Sequence, residues 1–234
     1  MSCCKRKAGS RKARITDERR SRTQLRESGS YSINQTTIAM AIKAVIFDLD
    51  GTITQPYFDF DAIRKEMGLA EDSGPILESM EKMTHEQRER AEQIIHLHEE
   101  RAVAESKLNA GAKRTLSSLR AAGIRIGVLT RNRRDNAFAI AQKHKLKFDA
   151  VVGREDGPVK PDAFGVLRLC EQFGVKPNET LVVGDYLFDL LCAKAAGAIA
   201  VLLTNHEHAD QFAEHADFCI ENINRILQII EQKK

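Results

Sequence analysis

From Ile42 onward, apolar and polar positions alternate between two periods along the chain. Short apolar runs of four to six residues are separated by stretches with helical spacing. The runs predict strands near residues 43–47, 124–129, 150–153, 181–184, 199–203 and 217–220. The stretches between them predict helices near 111–122, 134–146, 162–173, 187–196 and 222–232. Gly123, Gly174 and Gly197 fall just after helical stretches, where a left-handed cap residue belongs. Strand and helix in alternation give an α/β fold with a parallel sheet and helices on both faces. In such a doubly wound, Rossmann-like sheet, ligands bind outside the carboxyl ends of the strands.

The pattern changes between the first strand and Gly111. About fifty residues there read as helical: a short helix opened by Phe60, a second around Pro75–Met80, and a longer one capped by Thr84 and running to about Leu108. The expected division is therefore a core formed by residues 40–56 and 109–234, with 57–108 as a small all-helical insertion after the first strand. The stripe Ile94, Ile95, Leu97 and His98 reads as packing surface.

The first run, Val45-Ile-Phe-Asp-Leu-Asp-Gly-Thr52, delivers two aspartates into a glycine turn. This layout presents Asp48 and Asp50 at a strand's carboxyl end, with Gly51 allowing a sharp reversal. A calcium loop starting at Asp48 does not fit, because Ile53 and Asp59 stand where glycine and a bidentate glutamate are needed. Three later segments add groups of the kind phosphoryl transfer to a carboxylate needs. One strand ends in Thr130, Lys160 sits in Val-Lys-Pro-Asp, and another strand ends in Gly184-Asp185, followed by Asp189.

This ordered set resembles the four motifs of the haloacid dehalogenase superfamily of phosphohydrolases, from about Ala41 to near the C-terminus, and around the last two motifs its phosphoglycolate phosphatase-like branch. The resemblance implies a helical cap in the 57–108 insertion and an aspartyl-phosphate mechanism. Asp48 is the expected nucleophile: an ordinary carboxylate, with a pKa of about 3.9, needs no deprotonating base at neutral pH. Its approach to a phosphate dianion calls for a cation, and an oxygen-rich site points to Mg²⁺. The expected ligands are Asp48, Asp185 and, by resemblance, the backbone carbonyl of Asp50, with Asp189 beside them ordering water or orienting Lys160. An alternative for Asp189 is a carboxylate stabilised by a helix N-terminus.

Asp50 would protonate the leaving group and then activate water. Thr130 would donate its hydroxyl to the phosphoryl group, helped by the backbone N–H groups after it, and Lys160 would offset negative charge. Arg131, with Arg133 and Arg134, reads either as a contact for an anionic substrate or as a solvated helix start. Gln55–Phe58 are candidates for the pocket mouth, and His206 and His208 read as loop residues. Tyr186 departs from the family pattern, where many relatives carry serine.

The expected function is a Mg²⁺-dependent phosphatase acting on a small phosphorylated metabolite, phosphoglycolate-like or a sugar phosphate. A phosphosugar mutase and a non-catalytic scaffold working through a basic tail are the alternatives. That tail is residues 1–39, which hold ten Lys/Arg and three Asp/Glu while the whole chain carries only +3. It is expected to be disordered. It reads as a nucleic-acid-binding arm, a transit peptide opposed by Asp17, Glu18 and Glu27, or an extension without catalytic role ahead of Met40. Nucleic acid is expected only through this tail. No apolar run approaches the roughly 18 residues of a membrane span. The five cysteines show neither zinc-ligand spacing nor a disulfide framework, which fits a reducing cytoplasm; Cys170 and Cys192 are expected to be buried. The sequence leaves the oligomeric state open.

Overall fold

In the computed structural model, residues 41–233 are described; the expectations for the basic tail lie outside them. Six strands form one sheet: β1 (Ala44–Phe47), β2 (Arg125–Leu129), β3 (Ala150–Val152), β4 (Thr180–Gly184), β5 (Ile199–Leu203) and β6 (Phe218–Ile220). All neighbouring pairs run parallel, in the order β3-β2-β1-β4-β5-β6. The chain winds outward from β1 to β3 and then crosses back to β4, so the switch point lies between β1 and β4. Every residue of β1 and β4 is buried, as strands covered on both faces should be.

Alternation along the strands splits the core into two layers. Val45, Phe47, Ile126, Val128, Leu181 and Val183 pack with Leu116 and Leu119 of α4 (Ala112–Ala121), Ile140 of α5 (Arg134–His144) and Ile229 of α8 (Ile226–Gln232). Ile46, Leu129, Val182 and Leu202 face the other way, against Val166 and Leu169 of α6 (Phe164–Phe173) and Leu190 of α7 (Leu187–Ala196). Phe47 is in register with both Val128 and Val183, so the chain leaves β1 level with its two neighbours.

Three helices lie between β1 and β2: α1 (Phe60–Glu66), α2 (Ile76–Met80) and α3 (His85–Glu105). They build a small core of their own from Ile63, Ile76, Met80 and Ala91. Thr84 caps α3 with a reciprocal capping box to Gln87. The predicted packing stripe holds only in part. Ile94 is buried and Ile95 packs beside the small core, whereas Leu97 is exposed and His98 bonds Glu66 at 2.8 Å.

Helix ends differ from expectation by a few residues. α5 stops at His144 because Lys145 itself takes the left-handed conformation, and a single 3₁₀ turn at Ile223–Arg225 precedes α8. Gly123, Gly174 and Gly197 do have positive φ. Among the described residues no helix is long and apolar enough to cross a membrane.

Leu181 has no exposed surface and lies in the central strand β4, so Leu181→Ala should cost about 2–5 kcal/mol of folding free energy. Urea unfolding followed by circular dichroism measures this; an unchanged midpoint would contradict the packing described.

Candidate active site

The backbone N–H of Asp48 makes one further ladder bond beyond β1, to Val183 O at 2.8 Å, and then the chain reverses. Ile53 and Thr54 both donate to Leu49 O, closing the turn. Gly51 sits at φ +95°, and a Cβ there would lie 2.3 Å from Asp185 Oδ2. Only glycine therefore lets the β1 and β4 loops approach this closely. Two asparagines secure the reversal. Asn109 Nδ2 lies 2.7–3.0 Å from the carbonyls of Gly51, Thr52 and Thr54, and Asn205 Nδ2 is 2.6 Å from Gly51 O.

Lys160 arrives from the segment before α6 and is nearly fully buried. Its Nζ lies 2.5 Å from Asp48 Oδ1 and 2.6 Å from Asp189 Oδ1. Asp189 also accepts from the Tyr186 N–H at the start of α7, so one carboxylate touches both the lysine and the helix start. Asp185 accepts from the Thr52 hydroxyl at 2.8 Å. Asp48, Asp185 and Asp189 each place an oxygen within 4.8 Å of the others.

Thr130 directly follows β2 with its N–H on Val152 O, and its Oγ1 accepts from Asn132 N at 3.0 Å. The Arg133 N–H is bound to Asn132 Oδ1, so two of the N–H groups expected to help Thr130 are already engaged. Asp50 Oδ2 accepts from Asn132 Nδ2 at 3.1 Å.

Residues 42–197 match the model of the haloacid dehalogenase-like hydrolases. A haloacid dehalogenase-like hydrolase domain-containing protein of Arabidopsis thaliana is 31% identical, over 88% of this chain and 92% of its own length. The chain belongs to the haloacid dehalogenase-like hydrolase family. A phosphoglycolate phosphatase of Chromobacterium violaceum is 26% identical over 81% of this chain and 97% of its own. Among solved structures, a hydrolase from Pseudomonas syringae superposes with a TM-score of 0.70 at 23% identity, covering 81% of this chain and 98% of that one.

The family's aspartates here are not ordinary carboxylates. Burial pushes Asp48 well above the usual range; Lys160 opposes that rise, while Asp189, Asp185 and Asp50 add to it. The expectation that Asp48 is an unperturbed carboxylate therefore gives way to one whose ionisation depends on neighbouring cations. Burial likewise raises Asp50 to about 6, against the bond from Asn132, and Asp185 to about 6 with a contribution from Asp189. Burial disfavours the charge on Lys160, but Asp189 and Asp48 outweigh it and hold the ammonium above the usual lysine range.

Arg131, expected at an anionic substrate, bonds the carbonyl of Lys160, pairs with Glu78 of α2 at 2.6 Å and lies over the Phe188 ring. Arg133 and Arg134 pair instead with Asp135 and Asp156. His206 is a loop residue, yet its Nε2 is 2.9 Å from Asp185 O, a contact that no sequence pattern announces. Tyr57 and Phe60 are exposed beyond the turn. Asn109, Asn132 and Asn205 carried no pattern by which to find them, because each acts through partners far away in the sequence.

A carboxyl raised by folding keeps its proton in the native state after the unfolded chain has lost it, so ionisation opposes folding. For Asp50 and Asp185, stability is fully present below about pH 4 and is lost as pH rises through about 6. In chelator-containing buffer, Asp185→Asn should therefore raise the thermal midpoint at pH 7.5, and its advantage should vanish by pH 4. A difference independent of pH would contradict the electrostatic account.

Proposed function

We propose that this family member is a Mg²⁺-dependent phosphatase of the cytoplasm, acting on a small phosphorylated metabolite of the phosphoglycolate or sugar phosphate type. The observation that carries the reading is the arrangement around Lys160: one buried ammonium bonded to Asp48 and Asp189, with Asp185 alongside and Asp50 two residues on. Four carboxylates face one lysine, a deficit of positive charge that a divalent cation would relieve. The all-oxygen donor set suits Mg²⁺. Asp48, Asp185 and the backbone carbonyl of Asp50 would hold the ion, which supplies charge neutralisation where two anions must meet. The phosphoglycolate phosphatase of Chromobacterium violaceum supports the substrate class.

In this reading an Asp48 oxygen forms a bond to phosphorus as the bond to the leaving oxygen breaks, giving an aspartyl phosphate. Asp50, whose raised pKa of about 6 lets it hold a proton near neutrality, gives that proton to the departing alkoxide. It then takes a proton from the water that attacks phosphorus and releases Asp48. Thr130 directs its hydroxyl hydrogen to a phosphoryl oxygen while its Oγ1 accepts from the Asn132 N–H. Lys160 neutralises charge shared by Asp48 and the transferring group. Asp189 positions Lys160. Helices α1–α3 act as the cap, and Arg131 contacts the anionic substrate.

Phosphate release from a panel of phosphorylated metabolites tests the proposal. Turnover should need Mg²⁺ and fall at least about a thousandfold in Asp48→Asn. Mg²⁺ should also raise the thermal midpoint of the wild type but not of Asp185→Asn. Return of the phosphoryl group to a sugar would identify a mutase instead, and undiminished turnover by Asp48→Asn would overturn the mechanism.

A further inference from the structure

Glu99 lies in the middle of α3, and only 3% of it is exposed. A glutamate is rarely buried unless paired. Its partner is Arg154, just after β3, whose two Nη atoms each meet one carboxylate oxygen, the Nη2 to Oε2 bond measuring 3.1 Å. Such a buried pair is weak evidence for stability, because well-packed apolar residues of similar volume often serve as well. Its consequence is directional. Asn136 Nδ2, on α5, lies 3.3 Å from Glu99 Oε2 and 2.8 Å from Asn132 Oδ1. Asn132 Nδ2 then donates to Asp50 Oδ2.

The polarity of this hydrogen-bond relay is set at the glutamate. A carboxylate only accepts, so Asn136 must turn its NH₂ toward Glu99. That NH₂ has a second hydrogen, which goes to Asn132 and requires an acceptor there. Asn132 therefore presents Oδ1 to Asn136, a choice reinforced by the Arg133 N–H at 2.7 Å, and its own NH₂ is left facing Asp50. A flipped Asn132 would set oxygen against the Asp50 carboxylate and NH₂ against two donors.

Building on the phosphatase reading, we propose that Glu99, held by Arg154, is a positioning residue. Through Asn136 and Asn132 it fixes the carboxyl plane of the acid/base residue Asp50 and ties that residue to the inserted helix α3. None of the relaying groups needs to touch substrate. Their contribution is to arrest rotation of Asp50 so that its proton meets the leaving oxygen; kcat/KM, which reports the steps up to departure of the leaving group and not the later attack of water, isolates that contribution.

The test compares two substrates in the full-length protein with Mg²⁺ present. Nitrophenyl phosphate releases a stable phenolate that needs little protonation, whereas an alkyl phosphate releases an alkoxide that needs it. Glu99→Gln should lower kcat/KM for the alkyl phosphate about tenfold, a fraction of a full acid–base effect, with kcat/KM for nitrophenyl phosphate within about threefold. Asn136→Ala, at a half-buried position that should tolerate truncation, should reproduce the pattern. The double variant should be no slower than the slower single one, because both changes cut the same relay. Equal losses of kcat/KM on the two substrates, or additive losses in the double variant, overturn the positioning role while leaving the phosphatase intact. A wild type without Asp48-dependent turnover overturns the phosphatase reading itself and the positioning role with it.

Discussion

Four aspartate side chains, Asp48, Asp50, Asp185 and Asp189, gather at the carboxyl ends of β1 and β4, and one ammonium, Lys160, is buried among them. At an effective dielectric of about 20, two unit charges 4 Å apart interact by about 4 kcal/mol, so neither the repulsion nor the lysine's attraction is a small quantity. Much of the local architecture follows from accommodating this charge. Asp185 can come so close to the β1 turn because Gly51 has no Cβ to obstruct it. Lys160 reaches two carboxylates at once because β1 and β4 are adjacent and in register, Phe47 beside Val183. Burial raises the pKa values of Asp48, Asp50 and Asp185, and the repulsion that the ammonium leaves uncompensated adds to that rise.

The sheet and its helices were legible in the sequence because parallel strands covered on both faces must be apolar throughout, and helices against them must carry one apolar side. Each predicted strand is present within a residue or two, and the larger shifts fall at helix ends, where Lys145 and the turn before α8 obey local backbone geometry that hydropathy does not encode. The groups placed at strand ends, Asp48, Thr130 and Asp185, could be found for the same reason: an apolar run that stops at a polar residue marks where a side chain leaves the core. Glu99 could not be found this way. It stands among charged neighbours in a helix whose surroundings are mostly exposed, and only its encounter with Arg154, 55 positions away, makes burial tolerable. Asn109, Asn205 and His206 share that invisibility, since their partners lie 21 to 154 residues away.

Among the described residues, two ion pairs connect the inserted helices to the core, and their environments assign them different work. Glu78 of α2 reaches Arg131 with 39% of its side chain exposed, whereas Glu99 of α3 reaches Arg154 with 3% exposed. The half-exposed Glu78 leaves its pair with Arg131 partly screened by solvent, so that pair contributes less than a buried one. Partial burial opposes ionisation of Glu78, yet the Arg131 guanidinium holds its carboxyl below the usual range, which keeps the pair charged. Breaking the buried pair would strand a charge away from water and cost several times more. α3 is therefore tied to the core through a carboxylate shielded from water and joined through Asn136 and Asn132 to Asp50, whereas α2 is tied through one nearer solvent. In the proposed reading, the link to the group that handles the proton is withdrawn from water, while the link to the arginine that meets the substrate stays near it. That division originates in the unequal burial of two glutamates.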